Sequence, residues 1–555
     1  MSSQIESNDT TINRGKSFSR RAAFTPVSLA AIIAIFLTVS PVLNTGSDSF
    51  GSLVVSQHII RSGNIQLDDY RDYFVRPDGT LHNSITEWRG HLYNYFPVGA
   101  PLVSLPVVAA LNLAGLDVRQ INSPLQKLIG GLIAGGIFLV CYAMARLWYS
   151  LPVSLALSAG LIFGTIIAPT VGTALWSINF EILFMSFCVL YMLKISLGQP
   201  RPFSPWLLGL FLFLGYISRP TMVPFIVVSL LYLFAKERNS ALRAGGIAAL
   251  LLAGFMVWSK GLYGQFLPPY YAISRLDLSV LPSALTGTLL SPSRNIFIWS
   301  PVMLLLPVLL IAHFRKLSAV EVALFAAGLI SLLPIITFPH WWVGHSFGPR
   351  TTATPVFLLS IGMAVHCATS CRQRPNWSRA FSLLLVAGIP LSISGLYNSA
   401  TAYWNVFPDI GKYPTRIIYD WRYPQFLATQ KSLAEKYLVQ SRELGLQQLS
   451  MLPVRATTIL AGAEASRQFT VNVAPYSPSV WLTVFFVDLA SAPIGMRLNG
   501  IPIATLAAAK FGTTTIEVPS DLLRIGKPNE ISFASRRRGK ALPLLAVFIC
   551  ILESS

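Results

Sequence analysis

The chain has 555 residues, of which 53% are hydrophobic and only 12% are charged. Soluble globular proteins carry about 25% charged residues, so this composition excludes an ordinary soluble enzyme. The net charge is +19, but the basic residues fall in short clusters between apolar runs, which is typical of the cytoplasmic loops of a membrane protein and does not indicate nucleic-acid binding.

The N-terminal region predicts a cytoplasmic tail, residues 1–24, followed by a retained membrane span. The tail is polar and basic, and the uncharged segment 25–43 is long enough to cross a hydrocarbon core of about 30 Å. It lacks a convincing small-residue cleavage site, so it is not interpreted as a cleaved signal. Because basic residues favour the cytoplasmic side, the chain is predicted to emerge outside into a long, aromatic-rich external loop, 44–100.

The apolar runs predict about 11 transmembrane helices in total, with the N-terminus inside and the C-terminus outside. Segment 101–116 is short and contains Pro106, so it is interpreted as an interfacial helix and not as a crossing. With this choice nearly every short basic loop falls on the inner side, as the positive-inside rule requires. The crossings after the first are 127–147, 151–170, 178–196, 204–218, 220–235, 243–262, 298–313, 318–338, 351–367 and 379–398.

The composition changes after this membrane part, which covers residues 25–398. Residues 399–464 are predicted to form a helical connecting region. From 465 to 555 short β patterns dominate, and Asn499-Gly500 between two apolar stretches is a strong signal for a two-residue hairpin. The chain is therefore predicted to be a polytopic α-helical membrane protein with a C-terminal, external β-sandwich-like domain.

Three arginines are predicted to lie on the external half of the membrane, where topology does not favour positive charge. Arg294 and Arg350 each precede an uncharged run, after Ser-Pro-Ser and Gly-Pro respectively, and Arg219 interrupts the hairpin between two short apolar segments. Each alone is also compatible with an interfacial side chain that snorkels. Together they predict a cationic pocket, because the planar guanidinium fork fits a phosphate.

Asp48 is the first acidic residue after the first span. Its Gly-Ser-Asp-Ser setting suits a helix N-cap or a turn, and it also suits a general base at the membrane surface. Aromatic side chains in the same external regions suit either an interfacial belt or a stacking surface for a sugar or an isoprenoid chain. The candidates for lining such a site are Tyr93, Tyr95, Phe96, Trp341, Trp342, His345 and Glu181, the last as a group that orients another polar side chain.

No metal or cofactor site is predicted. The five cysteines lack zinc-ligand spacing, and the seven histidines contain no HExxH-like pair. The acidic cluster Asp68, Asp69 and Asp72 is interpreted as a solvated face of the external loop, with a metal site as the alternative.

Several segments point to one known group of membrane enzymes. An acidic residue follows the first span, and the external loop ends in an aromatic-Pro-Val-Gly-Ala-Pro segment. Three further segments are LLSPSRNIFIWSPV (289–302), WWVGHSFGPR (341–350) and WNVFPDIGKYPTRIIYDWRYPQFL (404–427). Together they resemble the GT-C superfamily of integral-membrane glycosyltransferases, in particular bacterial proteins related to the protein mannosyltransferases and the aminoarabinose transferases of lipid A.

The resemblance implies transfer of a sugar, with inversion, from a polyprenyl-phosphate-linked donor to a glycan, lipid or protein acceptor. It also implies that the reaction takes place on the external, periplasmic face of a bacterial inner membrane, without a cofactor. Asp48 would deprotonate the acceptor hydroxyl, while Arg294, Arg350 and Arg219 would hold the donor phosphate as it leaves. Many members of the superfamily carry two adjacent acidic residues at the base position, whereas Asp48 has serines on both sides. The alternatives are a transporter or flippase of lipid-linked sugars and a non-catalytic, glycan-binding membrane scaffold.

Overall fold

The computed structural model describes residues 20–76, 79–370, 375–406, 408–444, 457–459, 465–470, 479–487, 494–506, 511–524, 527–535 and 544–553. Most of these residues are helical. The helices are α1 (Arg20–Thr38), α2 (Ser52–Ser62), α3 (Arg71–Phe74), α4 (Gly99–Leu113), α5 (Val118–Ala145), α6 (Leu151–Phe163), α7 (Ile167–Val171), α8 (Ser177–Ser196), α9 (Pro205–Ser218), α10 (Val223–Lys236), α11 (Arg238–Tyr263), α12 (Leu281–Leu290), α13 (Ile296–Trp299), α14 (Leu305–His313), α15 (Ala319–Ile330), α16 (Leu333–Ile336), α17 (Ala353–Thr369), α18 (Pro375–Tyr397), α19 (Ser399–Tyr403), α20 (Pro414–Ile418) and α21 (Gln430–Glu443). The strands are β1 (Ile85–Trp88), β2 (His91–Asn94), β3 (Thr457–Ile459), β4 (Ala465–Thr470), β5 (Ser479–Val487), β6 (Ile494–Leu498), β7 (Ile501–Leu506), β8 (Phe511–Pro519), β9 (Pro528–Ser535) and β10 (Leu544–Glu553).

The described part of the chain contains six helical segments that are long and apolar enough to cross a membrane. They are Val118–Ala145, Ser177–Ser196, Arg238–Tyr263, Ala319–Ile336, Arg350–Thr369 and Asn376–Tyr397. Shorter apolar helical segments cover Thr25–Thr38, Gly99–Leu113, Leu151–Phe163, Pro205–Ser218 and Pro220–Lys236. The protein is a mostly helical membrane protein, while the count of eleven crossings and the direction of each stay predictions.

Two of the predicted crossings, 151–170 and 298–313, are interrupted helices. A side chain at the second interruption accepts a hydrogen bond from the backbone at the first. The first divides at Gly164 into α6 and α7, and the second divides at Ser300 into α13 and α14. The backbone N–H of Ile166 donates to the hydroxyl of Ser300 over 3.1 Å, and the hydroxyl of Ser392 donates to the carbonyl of Thr165 over 2.8 Å. These bonds stabilise the breaks, because backbone polar groups at membrane depth must find partners within the protein.

Helices α6 and α18 cross at very short distance. A Cβ atom at Gly388 would lie 2.0 Å from the carbonyl oxygen of Gly164, and a Cβ atom at Gly164 would lie 2.3 Å from the carbonyl oxygen of Leu385. Both positions therefore require glycine, whose missing side chain lets two helix backbones approach closely in a membrane.

The segment predicted as an external loop, 44–100, contains helix α2 and the β1–β2 hairpin. Arg89 and Gly90 form the two-residue turn of this hairpin, with φ angles of 52° and 81°, as a type I′ turn requires. The amide of Asn122 in α5 donates to the carbonyl of Phe50 over 2.9 Å. This bond ties the beginning of the segment to the helical part of the protein.

Helix α4 covers the segment that the sequence predicts as interfacial. It packs against both α2 and α9. Its position at a membrane surface stays a prediction.

Beyond α18 the described residues form helices α19 to α21 and then eight strands. They form two four-stranded sheets, ordered β3-β10-β5-β8 and β4-β9-β6-β7. The hairpin predicted at Asn499-Gly500 is confirmed, since β6 and β7 pair antiparallel and the two turn residues have φ angles of 52° and 85°. The boundaries of the connecting region 399–464 and of the β domain 465–555 stay predictions, because parts of both lie outside the described residues.

Candidate active site

A cavity of about 850 Å³ brings together parts of the chain that are far apart in sequence. It is lined by the turn before α2, by the ends of α4, α8, α9 and α10 that lie at this side, and by the loops 267–276 and 337–345. The predicted site residues that line it are Asp48, Tyr95, Phe96, Arg219, Trp341, Trp342, His345 and Arg350. Arg294, Tyr93 and Glu181 do not line it.

The predicted base and one predicted phosphate ligand form an ion pair in the wall of this cavity. Arg350 Nη2 donates to Asp48 Oδ2 over 2.8 Å, and the hydroxyl of Ser47 donates to Asp48 Oδ1 over 3.1 Å. The Asp48 side chain is 29% exposed, whereas the Arg350 side chain is 10% exposed. The carboxylate therefore remains accessible from the cavity while its cationic partner is largely buried.

Most of the Arg350 guanidinium has no hydrogen-bond partner among the described residues. Its Nε and Nη1 atoms are buried and make no hydrogen bond with the described residues, and its Cζ atom lies 3.6 Å from the centroid of the Trp176 ring. The neighbouring cavity residues Trp176, Thr351 and Ser49 also have buried, unpartnered polar side-chain atoms. A buried donor without a partner costs about 1–3 kcal/mol, so an acceptor-rich group such as a phosphate that reached these donors would be bound favourably.

Arg219 is held in the cavity wall by the buried carboxylate of Glu181. The hydroxyls of Thr221 and Thr354 donate to the two Glu181 oxygens over 3.0 and 2.7 Å, and Arg219 Nε lies 3.5 Å from Oε2. Arg219 Nε also donates to Thr221 over 3.0 Å. Its two terminal nitrogens make no hydrogen bond with the described residues. Glu181 thus orients Arg219 from behind the wall instead of lining the cavity.

Arg294 occupies a different environment from the one predicted for a phosphate ligand. It is 1% exposed, and its guanidinium is fully used by oxygen atoms of the protein. The acceptors are the carbonyls of Trp342 (2.6 Å), Ser293 (2.7 Å) and Gly344 (3.2 Å) and the side chains of Gln425 (2.8 Å) and Asn405 (2.9 Å). Since five donors meet five acceptors, no N–H is left for a phosphate. The structure corrects the prediction: Arg294 holds together the loop that lines the cavity and the region after α18.

We expect the Arg294→Met variant to lower the free energy of unfolding by about 3 kcal/mol or more, because buried acceptors left without a donor cost about 1–3 kcal/mol each. Thermal unfolding of the purified protein in detergent measures this. The matched control is Arg243→Met, which replaces an exposed arginine of α11 and should leave the midpoint unchanged. A variant with a normal midpoint but weak binding of polyprenyl phosphate would restore Arg294 as a phosphate ligand.

The aromatic candidates divide between the cavity and the core beneath it. Tyr95, Phe96, Trp341 and Trp342 line the cavity. Tyr93 is buried, with its ring centroid 5.2 Å from that of Tyr263, so the prediction that it lines the site is wrong.

His345 lines the mouth of the cavity, where its Nε2 atom lies 3.1 Å from a carboxylate oxygen of Asp409. The same oxygen of Asp409 accepts from the backbone N–H of Gly411 over 2.8 Å. These contacts connect the loop before α17 with the region after α19.

A third cavity arginine, Arg275, was missed by the sequence-based prediction. Its Cζ atom lies 4.2 Å from the ring centroid of Tyr270, 5.2 Å from that of Phe338 and 5.4 Å from that of Tyr95. Its Nη1 atom donates to the carbonyl of Tyr270 over 2.7 Å. Because it follows no apolar run and lies in an irregular loop, no local pattern indicated its role.

The buried Lys127 side chain hydrogen-bonds to two segments that lead into the cavity wall. Its ammonium group is buried in α5 and donates to the hydroxyl of Ser40 and to the carbonyl of Gly172. Ser40 lies shortly before Asp48, and Gly172 lies shortly before Trp176. Lys127 could have been identified from the sequence, because a lysine within a predicted membrane span is unusual.

A histidine from the external segment fixes the turn that carries Asp48. His82 Nε2 donates to the carbonyl of Gly46 over 3.1 Å, and its Nδ1 accepts from the backbone N–H of Ser84 over 3.1 Å. Burial lowers the pKa of His82, so the ring is neutral at pH 7 and keeps this arrangement of donor and acceptor.

The acidic cluster of the external segment is used for local structure. Asp68 accepts from His91 Nδ1 over 2.7 Å and from the backbone N–H of Leu92 over 2.8 Å. Asp69 and Asp72 are exposed. Within the described ranges no group of three or more histidine, cysteine or acidic residues is arranged to hold a metal ion.

No family model matches the chain, and no curated protein matches it. Among solved structures it is similar to the oligosaccharyltransferase of Archaeoglobus fulgidus in complex with zinc and sulfate, with 12% identity and a TM-score of 0.38 over 71% of this chain and 57% of that one. It is also similar to ArnT from Cupriavidus metallidurans bound to undecaprenyl phosphate, with 13% identity and a TM-score of 0.40 over 77% of this chain and 78% of that one. The chain spans little more than half of the first protein, and both similarities are distant.

Proposed function

We propose that this chain is a membrane glycosyltransferase that moves a sugar from a polyprenyl-phosphate donor to an acceptor hydroxyl. Asp48 is the general base, and Arg350 and Arg219 bind the donor phosphate. The observation that carries the proposal is the state of Arg350, whose Nη2 atom donates to Asp48 and whose Nε and Nη1 atoms make no hydrogen bond with the described residues. A carboxylate base in contact with a guanidinium that has further donors fits a transfer reaction with a phosphate leaving group.

The chemistry follows from these two groups. The Asp48 carboxylate takes the proton of the acceptor hydroxyl, and the oxygen forms a bond to the anomeric carbon of the sugar. The bond from that carbon to the phosphate oxygen breaks, and its electron pair leaves with the phosphate, so one displacement inverts the anomeric centre. The phosphate changes from a diester with one charge to a monoester that gains a second. Arg350 and Arg219 therefore bind it more strongly as it departs, which lowers the barrier.

A metal is not needed for this step, because two arginines supply the positive charge. Trp176, Thr351 and Ser49 offer further hydrogen-bond donors beside Arg350. The aromatic side chains Tyr95, Phe96, Trp341 and Trp342 supply surfaces for the sugar and for the start of the isoprenoid chain.

In the proposed reaction, the cavity faces the outside of a bacterial inner membrane. The chain crosses this membrane eleven times, with the N-terminus inside and the C-terminal β domain outside. The acceptor is a glycan, a lipid or a protein of the cell envelope.

The test is to reconstitute the purified full chain in proteoliposomes with polyprenyl-phosphate-linked sugars extracted from the native host and with a host envelope fraction as acceptor. We expect free polyprenyl phosphate to be released and labelled sugar to enter the acceptor fraction. Glycan profiling of a deletion strain then identifies the acceptor.

Two other outcomes would contradict the proposal. A donor that stays intact but moves between leaflets would identify a flippase. A donor that stays intact and unmoved, with glycan retained by the protein, would identify a binding scaffold.

A further inference from the structure

Arg275 has no role in the proposed reaction, although it lines the same cavity. It lies among the rings of Tyr95, Tyr270 and Phe338, and the residue is only partly exposed. Its one hydrogen bond with the described residues uses Nη1, so Nε and Nη2 remain available. The aromatic rings hold the guanidinium by cation–π contacts and leave its hydrogen-bonding capacity free.

The charges around Arg275 favour an anionic ligand. No carboxylate of the described residues lies within 4.0 Å of it, whereas Arg350 is paired with Asp48 and Arg219 with Glu181. Asp277 is two residues away, but its carboxylate accepts from the backbone N–H of Ser279 over 2.8 Å. A partly buried cation without a counter-charge is costly unless a ligand supplies the charge.

Arg275 belongs to a different part of the cavity wall from the two arginines of the proposed phosphate site. Arg350 lies before α17 and is paired with Asp48, and Arg219 lies at the end of α9, where it contacts Glu181 of α8. Arg275 belongs instead to the loop 267–276, with the aromatic rings that suit the stacking of a sugar. An acceptor must bring its hydroxyl to Asp48 from a part of the cavity that the donor phosphate does not fill.

We infer that Arg275 binds a negatively charged group of the acceptor, so that the acceptor is an anionic glycan that carries a phosphate or a carboxylate; this inference rests on the proposed function. The guanidinium forms a two-point contact with the oxygens of the anionic group, and the adjacent rings contact the sugar that bears it. Arg275 thereby selects the acceptor and does not act on the donor.

The test measures binding of glucose 1-phosphate and of glucuronate to the full chain in phosphatidylcholine nanodiscs, with undecaprenyl phosphate already bound. Uncharged glucose is the ligand control. We expect both anionic sugars to bind more tightly than glucose, and the Arg275→Ala variant to weaken them by about tenfold or more, the scale of a charged hydrogen bond. The Arg275→Lys variant, which keeps the charge but loses the fork, should show an intermediate loss. The matched control is Arg71→Ala, an exposed arginine of the segment 44–100 that does not line the cavity.

Equal affinity of the wild type and Arg275→Ala for both anionic sugars would overturn the inference. It would also be overturned if the anionic sugars bound only by displacing undecaprenyl phosphate, since they would then occupy the donor site. A third contrary result is an Arg275-dependent binding of phosphatidylglycerol without binding of the sugars, which would make Arg275 a lipid anchor. Failure of the proposed function is visible separately, as a wild-type chain that does not bind undecaprenyl phosphate or does not release it from the donor.

Discussion

Replacing Asp48 with asparagine is expected to lower the rate of sugar transfer by about 10²- to 10⁴-fold, the range of contributions from a general base. Asparagine has nearly the same shape and can still accept from Ser47 and Arg350, but it cannot take a proton from the acceptor. Binding of the donor should survive or become tighter, because a negative charge beside the phosphate is lost. The measurement is the single-turnover transfer rate together with the dissociation constant of undecaprenyl phosphate.

The matched control for this prediction is Asp69→Asn, which changes an exposed acid of the same external segment that does not line the cavity. It should transfer sugar like the wild type. An Asp48→Asn variant with a normal transfer rate would exclude Asp48 as the base, even if donor binding behaved as expected.

Replacing Arg350 with alanine is expected to weaken the binding of undecaprenyl phosphate by about 10- to 150-fold, because hydrogen bonds to charged groups contribute about 1.5–3 kcal/mol. The variant removes the two donor nitrogens that make no hydrogen bond with the described residues. It also leaves the Asp48 carboxylate without its cation, so that Asp48 repels the phosphate. The Arg350→Lys variant should bind the lipid phosphate with an affinity between those of the wild type and Arg350→Ala. Its ammonium group keeps the charge but cannot contact the Asp48 carboxylate and the phosphate in one plane, as a guanidinium can. Titration of detergent-solubilised protein with the lipid phosphate measures the change.

The double variant Asp48→Asn/Arg350→Ala separates the two causes. If repulsion by Asp48 contributes, the double variant binds the lipid phosphate more tightly than Arg350→Ala alone, and the difference is the coupling between the residues. Arg71→Ala serves as the control for the loss of a positive charge, and thermal unfolding shows whether Arg350→Ala remains folded. Unchanged lipid affinity in a folded Arg350→Ala variant would remove the phosphate site from this cavity.

The comparison of Arg294 with Arg350 shows what the sequence could and could not predict about the site. Both residues follow a proline motif and precede an uncharged run, so local sequence gives them the same expected role. The difference lies in distant partners. Asn405 and Gln425 accept hydrogen bonds from the guanidinium of Arg294, whereas the guanidinium of Arg350 donates to Asp48 and lies against the Trp176 ring. Such partners depend on the packing of distant helices, which no local pattern encodes.

The fold was predictable where a long apolar run forms one continuous helix. The segment 178–196 corresponds to α8, and the hairpin arms 204–218 and 220–235 correspond to α9 and α10. The breaks at Gly164 and Ser300 were not predicted, because hydropathy measures polarity and does not record a broken hydrogen-bond ladder. Helix α2 was missed for the opposite reason, since a helix outside the apolar runs gives no membrane signal.

The contact between Asp48 and Arg350 joins positions that are 302 residues apart. At a synthesis rate of about 5–20 residues per second, roughly 15–60 s pass between the addition of the two residues to the growing chain. Asp48 and the early helices have therefore left the ribosome long before Arg350 is added. A partly synthesised chain therefore holds a carboxylate without its guanidinium, and the complete reaction centre arises only after insertion of the helix that begins beyond Arg350. The proposed transfer activity is therefore expected to arise late in biogenesis, and nascent chains that stall before this point should lack it.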